Sequence, residues 1–237
     1  MTYRWILFDA DGTLFDYDAA EEQALARTLT EFGLPLSPGV HATYRQINTQ
    51  LWRDFEQGKT TADRLKTTRF AQLFDALALR SPDVRAPEPE RFSDRYLHNL
   101  GTCTDLMPDA EAVLRALHGK IHLALITNGL TTVQRSRLAK SGLDTYFEVV
   151  VISDEEGVAK PDPGIFDVAM ARMGSPLKEE VLVVGDSLTS DMRGASQYEL
   201  DACWYNPKGL PRDTDFEIRY EIQSLREIPR LLGVERA

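Results

Sequence analysis

The sequence has little cysteine, no long apolar run and a shortage of basic charge. Its two cysteines, Cys103 and Cys203, lie far apart and form neither a metal-binding motif nor a disulfide framework. Both read as reduced, buried thiols. No stretch approaches the ~20 consecutive apolar residues that span a bilayer, so no transmembrane segment is expected. The N-terminus lacks a charged region followed by a long apolar one. A secretory signal is therefore not expected, and the chain reads as cytoplasmic. Lys and Arg number 27 against 37 Asp and Glu, giving a net charge of −10 at pH 7. That balance argues against a nucleic-acid polymer as partner, since such binders usually carry a basic face. A membrane partner is not expected either. A small anionic substrate stays admissible, because local cations and a metal override the net field. Internal repeats and low-complexity tracts are absent, and nothing here fixes an oligomeric state.

What is present is ordinary for a globular protein: 43% hydrophobic and 27% charged residues. A length of 237 residues accommodates one large domain, or a core domain with a smaller companion.

The chain is organised around its first residues. Trp5-Ile6-Leu7-Phe8 is a short apolar run, and Asp9-Ala10-Asp11-Gly12-Thr13 follows directly. Such a run reads as a buried strand. In an open α/β sheet the chemistry sits outside the carboxyl ends of the strands. Asp9 and Asp11 are thus delivered where one ligand can reach both, and Gly12 lets the chain turn away. Taken alone, the pair is equally a solvated turn.

Residues 17–105 then read as helical throughout. Asp18 is a candidate cap for a first helix running to Gly33. A second starts near Ser37-Pro38, carries Val40, Tyr44, Ile47, Leu51 and Phe55 at helical spacing, and ends at Gly58. A third starts at Thr60 or Thr61, and Pro82, Pro87 and Pro89 mark a loop before a fourth that closes at Gly101. Four amphipathic helices with short links suggest a small bundle. From residue 106 the pattern alternates. Strands are expected over 121–126, 147–152, 181–184 and 202–205. Helices are expected from Pro108, over 131–141, from Pro161 to Gly174, over 189–199 and near 225–232. This alternation implies a parallel sheet covered on both faces. The fold class is therefore α/β, with a Rossmann-like core over residues 1–16 and 106–237. A helical cap over 17–105 is inserted, both its ends lying at the mouth of the site.

Three further places carry chemistry. Thr127-Asn128 ends the second strand, where a hydroxyl and backbone N–H groups can bind phosphate oxygens. Turn and cap chemistry alone also explains these two residues. Lys160 precedes a proline in a strand-to-helix connection, and a lysine is a compact charge suited to neutralising phosphate. Asp186 ends the strand Val181-Leu182-Val183-Val184-Gly185 and meets Asp9 if the two strands are neighbours. Carboxylates so placed suit Mg²⁺. Asp191 either steadies that shell, orients Lys160, or is merely a first-turn helix carboxylate.

The conjunction, in this order, resembles motifs one to four of the haloacid dehalogenase-like phosphohydrolases, whose first motif is D-x-D-x-T/V. The resemblance covers nearly the whole chain, because the helical insertion matches that family's C1 cap position. It implies Asp9 as nucleophile and Asp11 as acid/base. Thr127, Asn128 and Lys160 are implied as the phosphate clamp, and Asp9, Asp11 and Asp186 as the Mg²⁺ site, with Mn²⁺ the other admissible ion. Reaction through an aspartyl-phosphate follows from the same resemblance. The dehalogenases proper lack a carboxylate at the position of Asp11, because a leaving halide needs no proton; its presence favours phosphoryl chemistry.

A narrower resemblance rests on Leu51-Trp52-Arg53-Asp54-Phe55-Glu56-Gln57-Gly58, on Thr131 to Leu138 and on Val151 to Pro161. These match the bacterial pyrimidine 5′-nucleotidases of the family. One departure is Gly12, where that subfamily has an acidic residue. A nucleoside monophosphate such as UMP, dUMP or dTMP is the implied substrate. Trp52 and Arg53 are the specificity candidates, Trp52 as an aromatic wall for a flat base. Phe55 falls on the apolar stripe and is expected in the bundle core. The alternatives are a phosphoglycolate or sugar-phosphate phosphatase, and a non-catalytic binding protein on the same scaffold.

Overall fold

The computed structural model describes residues 3–36, 38–78 and 87–234. The Ser37 start signal and the Pro82 loop signal lie outside these. Six parallel strands form one sheet: β1 (Trp5–Phe8), β2 (His122–Thr127), β3 (Val149–Ile152), β4 (Val181–Gly185), β5 (Asp201–Tyr205) and β6 (Tyr220–Ile222). Their order is β3-β2-β1-β4-β5-β6. The chain winds outward from β1 to one side, then returns past β1 to build the other. The strand order thus reverses at β1/β4, where a doubly wound sheet opens its ligand crevice.

Alternation along each strand places its side chains on two faces. Ile6, Phe8, Leu125, Leu182 and Val184 pack on one side. Leu7, Ala124, Ile126, Val181 and Val183 pack on the other. Helices α5 (Ala110–Leu117), α6 (Thr131–Ser141) and α10 (Glu227–Leu231) cover the first face. Helices α8 (Pro163–Arg172) and α9 (Arg193–Gln197) cover the second. A short α7 (Ser153–Glu156) follows β3.

Between β1 and α5 come α1 (Tyr17–Glu31), α2 (Pro38–Glu56), α3 (Ala62–Ala78) and α4 (Pro89–Leu100). They share an apolar cluster centred on Leu25, Leu29, Tyr44, Phe70, Phe92 and Tyr96, which also takes in Leu130 and Val133 at the start of α6. The two chain segments that enter and leave this insert run side by side. The Asp16 amide donates to Asp105 O at 3.0 Å and the Met107 amide to Leu14 O at 2.9 Å. No helix among the described residues is long and apolar enough to cross a membrane.

Several boundaries differ from expectation, each for a local reason. Asp16, not Asp18, caps α1: its carboxylate accepts from the Ala19 amide at 3.0 Å, while Asp18 lies inside the first turn. Helix α8 starts at Pro163 under Asp162, whose side chain accepts from the Gly164 amide. Pro161 belongs instead to the loop that carries Lys160. The 189–199 segment opens as a π-turn over Leu188–Met192 before α9. Strand β6, at three residues, has too short a pattern to read.

Candidate active site

Strand register assembles the site. Phe8 lies opposite Leu125 on β2 and Val184 on β4. Asp9 therefore stands level with Ile126 and Gly185, and Thr127 and Asp186 extend one residue further. The Asp9 amide donates to Val184 O at 2.8 Å, which keeps the backbone on sheet course into the loop. Gly12 then turns with φ +88°, and a Cβ there would stand 2.5 Å from Asp186 Oδ2. Glycine thus brings the first loop directly against the β4 carboxylate. Gly185 acts likewise, since a Cβ on it would meet Asp191 Oδ2 at 2.3 Å.

Lys160 is the hub. Its Nζ donates to Asp9 Oδ1 at 2.6 Å, Asp191 Oδ1 at 2.6 Å and Ile126 O at 2.9 Å. All three of its protons are thereby used. Only 1% of Lys160 is exposed. Burial alone would lower its pKa, but the charges of Asp191 and Asp9 outweigh burial and hold it above the usual lysine value. Asn128 braces the same residue from the main chain: its Nδ2 donates to Lys160 O at 2.7 Å and its Oδ1 accepts from the Lys160 amide at 2.8 Å. Both ends of the Asn128 side chain are thus engaged in holding Lys160. The Thr127 hydroxyl, by contrast, is buried and makes no hydrogen bond.

Ligand oxygens of Asp9, Asp186 and Asp191 lie within 4.8 Å of one another, a donor set that suits a hard divalent cation. Thr13 Oγ1 donates to Asp186 Oδ1 at 3.3 Å, and the Ser187 amide donates to Asp191 Oδ2 at 3.0 Å. Burial first, then the Asp191 charge, push the Asp186 carboxyl up to about 7. Asp9 is raised by the same two causes against the pull of Lys160. The sequence reading put Asp11 in the metal set. The side-chain cluster consists of Asp9, Asp186 and Asp191, while the Asp11 carboxylate is bonded to residues of α6.

Asp11 is gripped by two residues that the motif reading quoted without assigning. Arg137 Nη1 donates to Asp11 Oδ1, and Gln134 Nε2 donates to Asp11 Oδ2 at 2.5 Å. A Gln-x-x-Arg spacing puts both on one face of α6, and that spacing was the signal available.

A raised carboxylate pKa has a consequence for stability. When the folded pKa exceeds the unfolded one, the folded state binds the extra proton. The stability contribution is then complete below about pH 4 and is lost as pH rises through about 7. A divalent cation takes the deprotonated form and reverses that loss. The melting temperature gained on adding saturating Mg²⁺ is therefore expected to widen from about pH 5 to about pH 8. Paired thermal scans read this difference directly. A gain that does not change with pH would argue against these carboxylates as the cation site.

Two cavities are relevant, and only the first is lined by a carboxylate of the cluster. One of about 540 Å³ is lined by Asp11, Gly12 and Asp186 with Tyr17, Arg45 and Lys208. The other, of about 640 Å³, lies between the α2–α3 loop and the core, with Phe55, Glu56 and Gln57 facing Asp154, Val158 and Asp162. Phe55 is not in the bundle core. It is half-buried, meets the Trp52 ring edge-on at 5.6 Å and lines this second cavity. Trp52 is half-buried and Arg53 exposed, and neither lines that cavity. Glu56 accepts from Thr189 Oγ1 at 3.4 Å, joining the end of α2 to the core. Burial, then the charge of Asp191, raise its pKa.

A carboxylate at the end of β1, a buried lysine and a cation-fitting cluster thus meet at the switch point of a doubly wound sheet, where an α/β enzyme holds its ligand. The chain belongs to the haloacid dehalogenase-like hydrolases, whose family model matches residues 3–198. It stands among the phosphoric monoester hydrolases of that family. It is 32% identical over 232 residues to the pyrimidine 5′-nucleotidase YjjG of Escherichia coli, covering 98% of this chain and 99% of that protein. It is 34% identical over 229 residues to the pyrimidine 5′-nucleotidase PynA of Streptococcus pneumoniae, covering 96% and 94%. Among solved structures, the magnesium-bound hydrolase YfnB of Bacillus subtilis matches with a TM-score of 0.90 at 33% identity, over 98% of this chain and 100% of that one.

Proposed function

We propose that this chain is a Mg²⁺-dependent phosphatase that cleaves pyrimidine nucleoside 5′-monophosphates through an aspartyl-phosphate on Asp9. The observation that supports the reading is the register of three adjacent strands, which brings Asp9, and Thr127 and Asp186 one residue beyond its level, to one end of the sheet with Lys160 bonded to Asp9. Phosphate monoesters hydrolyse very slowly unaided, and a covalent intermediate divides the task into two easier steps.

Lys160 holds Asp9 Oδ1, so Oδ2 is the oxygen that attacks phosphorus. The unpartnered Thr127 hydroxyl accepts the role of donor to a phosphoryl oxygen, which would explain why a buried hydroxyl is left without a bond. Lys160 adds positive charge beneath the transferring group. Asp9 and Asp186 are the residues that would hold Mg²⁺, with Asp191 beside them. When bound, the ion screens the repulsion between an anionic nucleophile and an anionic phosphate. Asp11 protonates the departing ester oxygen and later takes a proton from the attacking water. The four-helix insert over residues 17–105 serves as a cap that selects the leaving group. Phe55 and Gln57 at its edge, with Trp52 behind Phe55, are the groups placed to meet a flat base.

The names of YjjG and PynA support the nucleotide reading. The test is phosphate release with Mg²⁺ from UMP, dUMP, dTMP, CMP, AMP, GMP, phosphoglycolate and glucose phosphates. A marked preference for uracil and thymine nucleotides is expected. Activity confined to phosphoglycolate or sugar phosphates would keep the catalytic residues and discard the nucleotide assignment. Silence on every ester, an aryl phosphate included, would leave a binding protein.

A further inference from the structure

We propose that Arg137, with Gln134 beside it, is the positioning residue that sets where the Asp11 acid meets the leaving oxygen. The inference rests on the phosphatase reading and assigns a role to two residues it did not use.

Arg137 is fully buried, and Gln134 is 2% exposed. The hydrogen bonds and the ring contact of the Arg137 guanidinium lead to the acid or to its support. Nη1 pairs with Asp11, the guanidinium carbon lies 4.3 Å from the centre of the Phe15 ring, and Nε donates to Cys103 O at 3.0 Å. Phe15 belongs to the same loop as Asp11. Cys103 belongs to the segment returning from the four-helix insert, which α6 also holds through Ser136 Oγ to Gly101 O at 2.7 Å. Arg137 thus references the Asp11 carboxylate to both segments that carry the insert.

Stability does not account for this arrangement. Desolvating a guanidinium costs several kcal/mol, and a buried ion pair is often replaced by apolar groups without loss. This guanidinium also leaves Nη2 buried without a partner, and Gln134 leaves Oε1 likewise. Gly129 makes room for the pair, since a Cβ there would stand 2.4 Å from Gln134 Nε2. Two buried polar side chains with unmet bonds, aimed at one carboxylate, fit a positional demand.

The two bonds to Asp11 are unequal. The one from Arg137 is charge-assisted, and the one from Gln134 comes from a neutral amide. The leaving oxygen takes the place of Gln134 at Oδ2, while Arg137 keeps Oδ1 and the carboxyl in plane. As Asp9 Oδ2 bonds to phosphorus the ester P–O bond breaks, and its electron pair passes to the ester oxygen, which takes the proton from Asp11. In the second half the Asp11 carboxylate takes a proton from water. The water oxygen bonds to phosphorus as the bond from Asp9 to phosphorus breaks.

The test compares leaving groups. Nitrophenolate departs without a proton, whereas the 5′-alkoxide of a nucleoside requires one. First-turnover rates are measured by rapid quench with p-nitrophenyl phosphate and with UMP for wild type, Arg137→Met, Arg137→Lys and Gln134→Met. The long unbranched methionine keeps the volume. Arg137→Met is expected to cut the UMP rate by about 10²-fold, the lower range for a general acid, and to raise the aryl-to-alkyl ratio at least about tenfold. Arg137→Lys recovers part of that ratio, and Gln134→Met shifts it in the same direction by less. Should Arg137→Met not fold, the ratio in Gln134→Met decides. Equal losses on both esters would overturn the assignment and leave the phosphatase reading standing. A wild type inert on both esters would overturn the two together.

Discussion

Asp9→Asn is expected to lose at least about 10⁴-fold in phosphate release while melting no lower than the wild type. The loss is large because an amide oxygen does not attack phosphorus to form a stable intermediate, and no neighbouring carboxylate takes over. Asp191 is held on both oxygens, by Lys160 and by the Ser187 amide. Asp186 lies under Gly12 and accepts from Thr13. The fold survives for an electrostatic reason. The asparagine oxygen still accepts from Lys160, which keeps Asp191 as ion partner and Ile126 O as acceptor. One negative charge also leaves a cluster whose members already raise one another's pKa by burial and repulsion. Activity and melting temperature measured on the same metal-free and Mg²⁺-loaded samples separate the two effects. Activity within about tenfold of wild type would remove Asp9 from the nucleophile's role.

The core of this fold was legible because a buried parallel strand writes its burial as an apolar run. Trp5–Phe8, His122–Thr127 and Val181–Gly185 all do so, and each ends at or just before a candidate site residue, Asp9, Thr127 or Asp186. Those three strands and their order explain why Asp9, Thr127 and Asp186 converge, and the loop after α7 brings in Lys160. What escaped the sequence depends on partners distant along the chain. Arg137 looks like any helix cation until Asp11 is folded against it. Asn128 reads as a turn residue, yet its side chain serves the Lys160 backbone. Phe55 obeys the apolar stripe of α2 but sits on its last turn, beyond the neighbours that would bury it, and so faces a cavity. Helical periodicity reports which face is apolar. It does not report where along the helix the packing partner ends.

Lys160→Met is expected to be the most destabilising single change in the site, by about 3–5 kcal/mol in metal-free buffer. For a chain of this size that corresponds to a fall in melting temperature of roughly 10 °C or more. Wild-type Lys160 spends all three donors on Asp9, Asp191 and Ile126 O, so its removal strands two buried carboxylates and a carbonyl at once. Methionine fills the space but answers none of them. The same change makes the carboxylate cluster more negative, and a divalent cation then becomes the counter-charge that lysine supplied. Mg²⁺ is therefore expected to raise the melting temperature of the variant by more than it raises that of the wild type. Catalysis does not follow that recovery. A phosphate ester approaching Asp9 still lacks the cation beneath it, so kcat/KM is expected to stay at least about 10²-fold down with Mg²⁺ saturating. Thermal scans with and without Mg²⁺, beside phosphate release, check both halves. A metal-free variant that melts within about 2 °C of wild type would mean that the three acceptors are not held by Lys160 at all. Stability regained together with full activity would mean that lysine is only a structural counter-ion. The expected pattern, with stability regained and activity lost, assigns the lysine two tasks at one atom: it neutralises the cluster while the site is empty, and it carries charge to the phosphoryl group when the ester arrives.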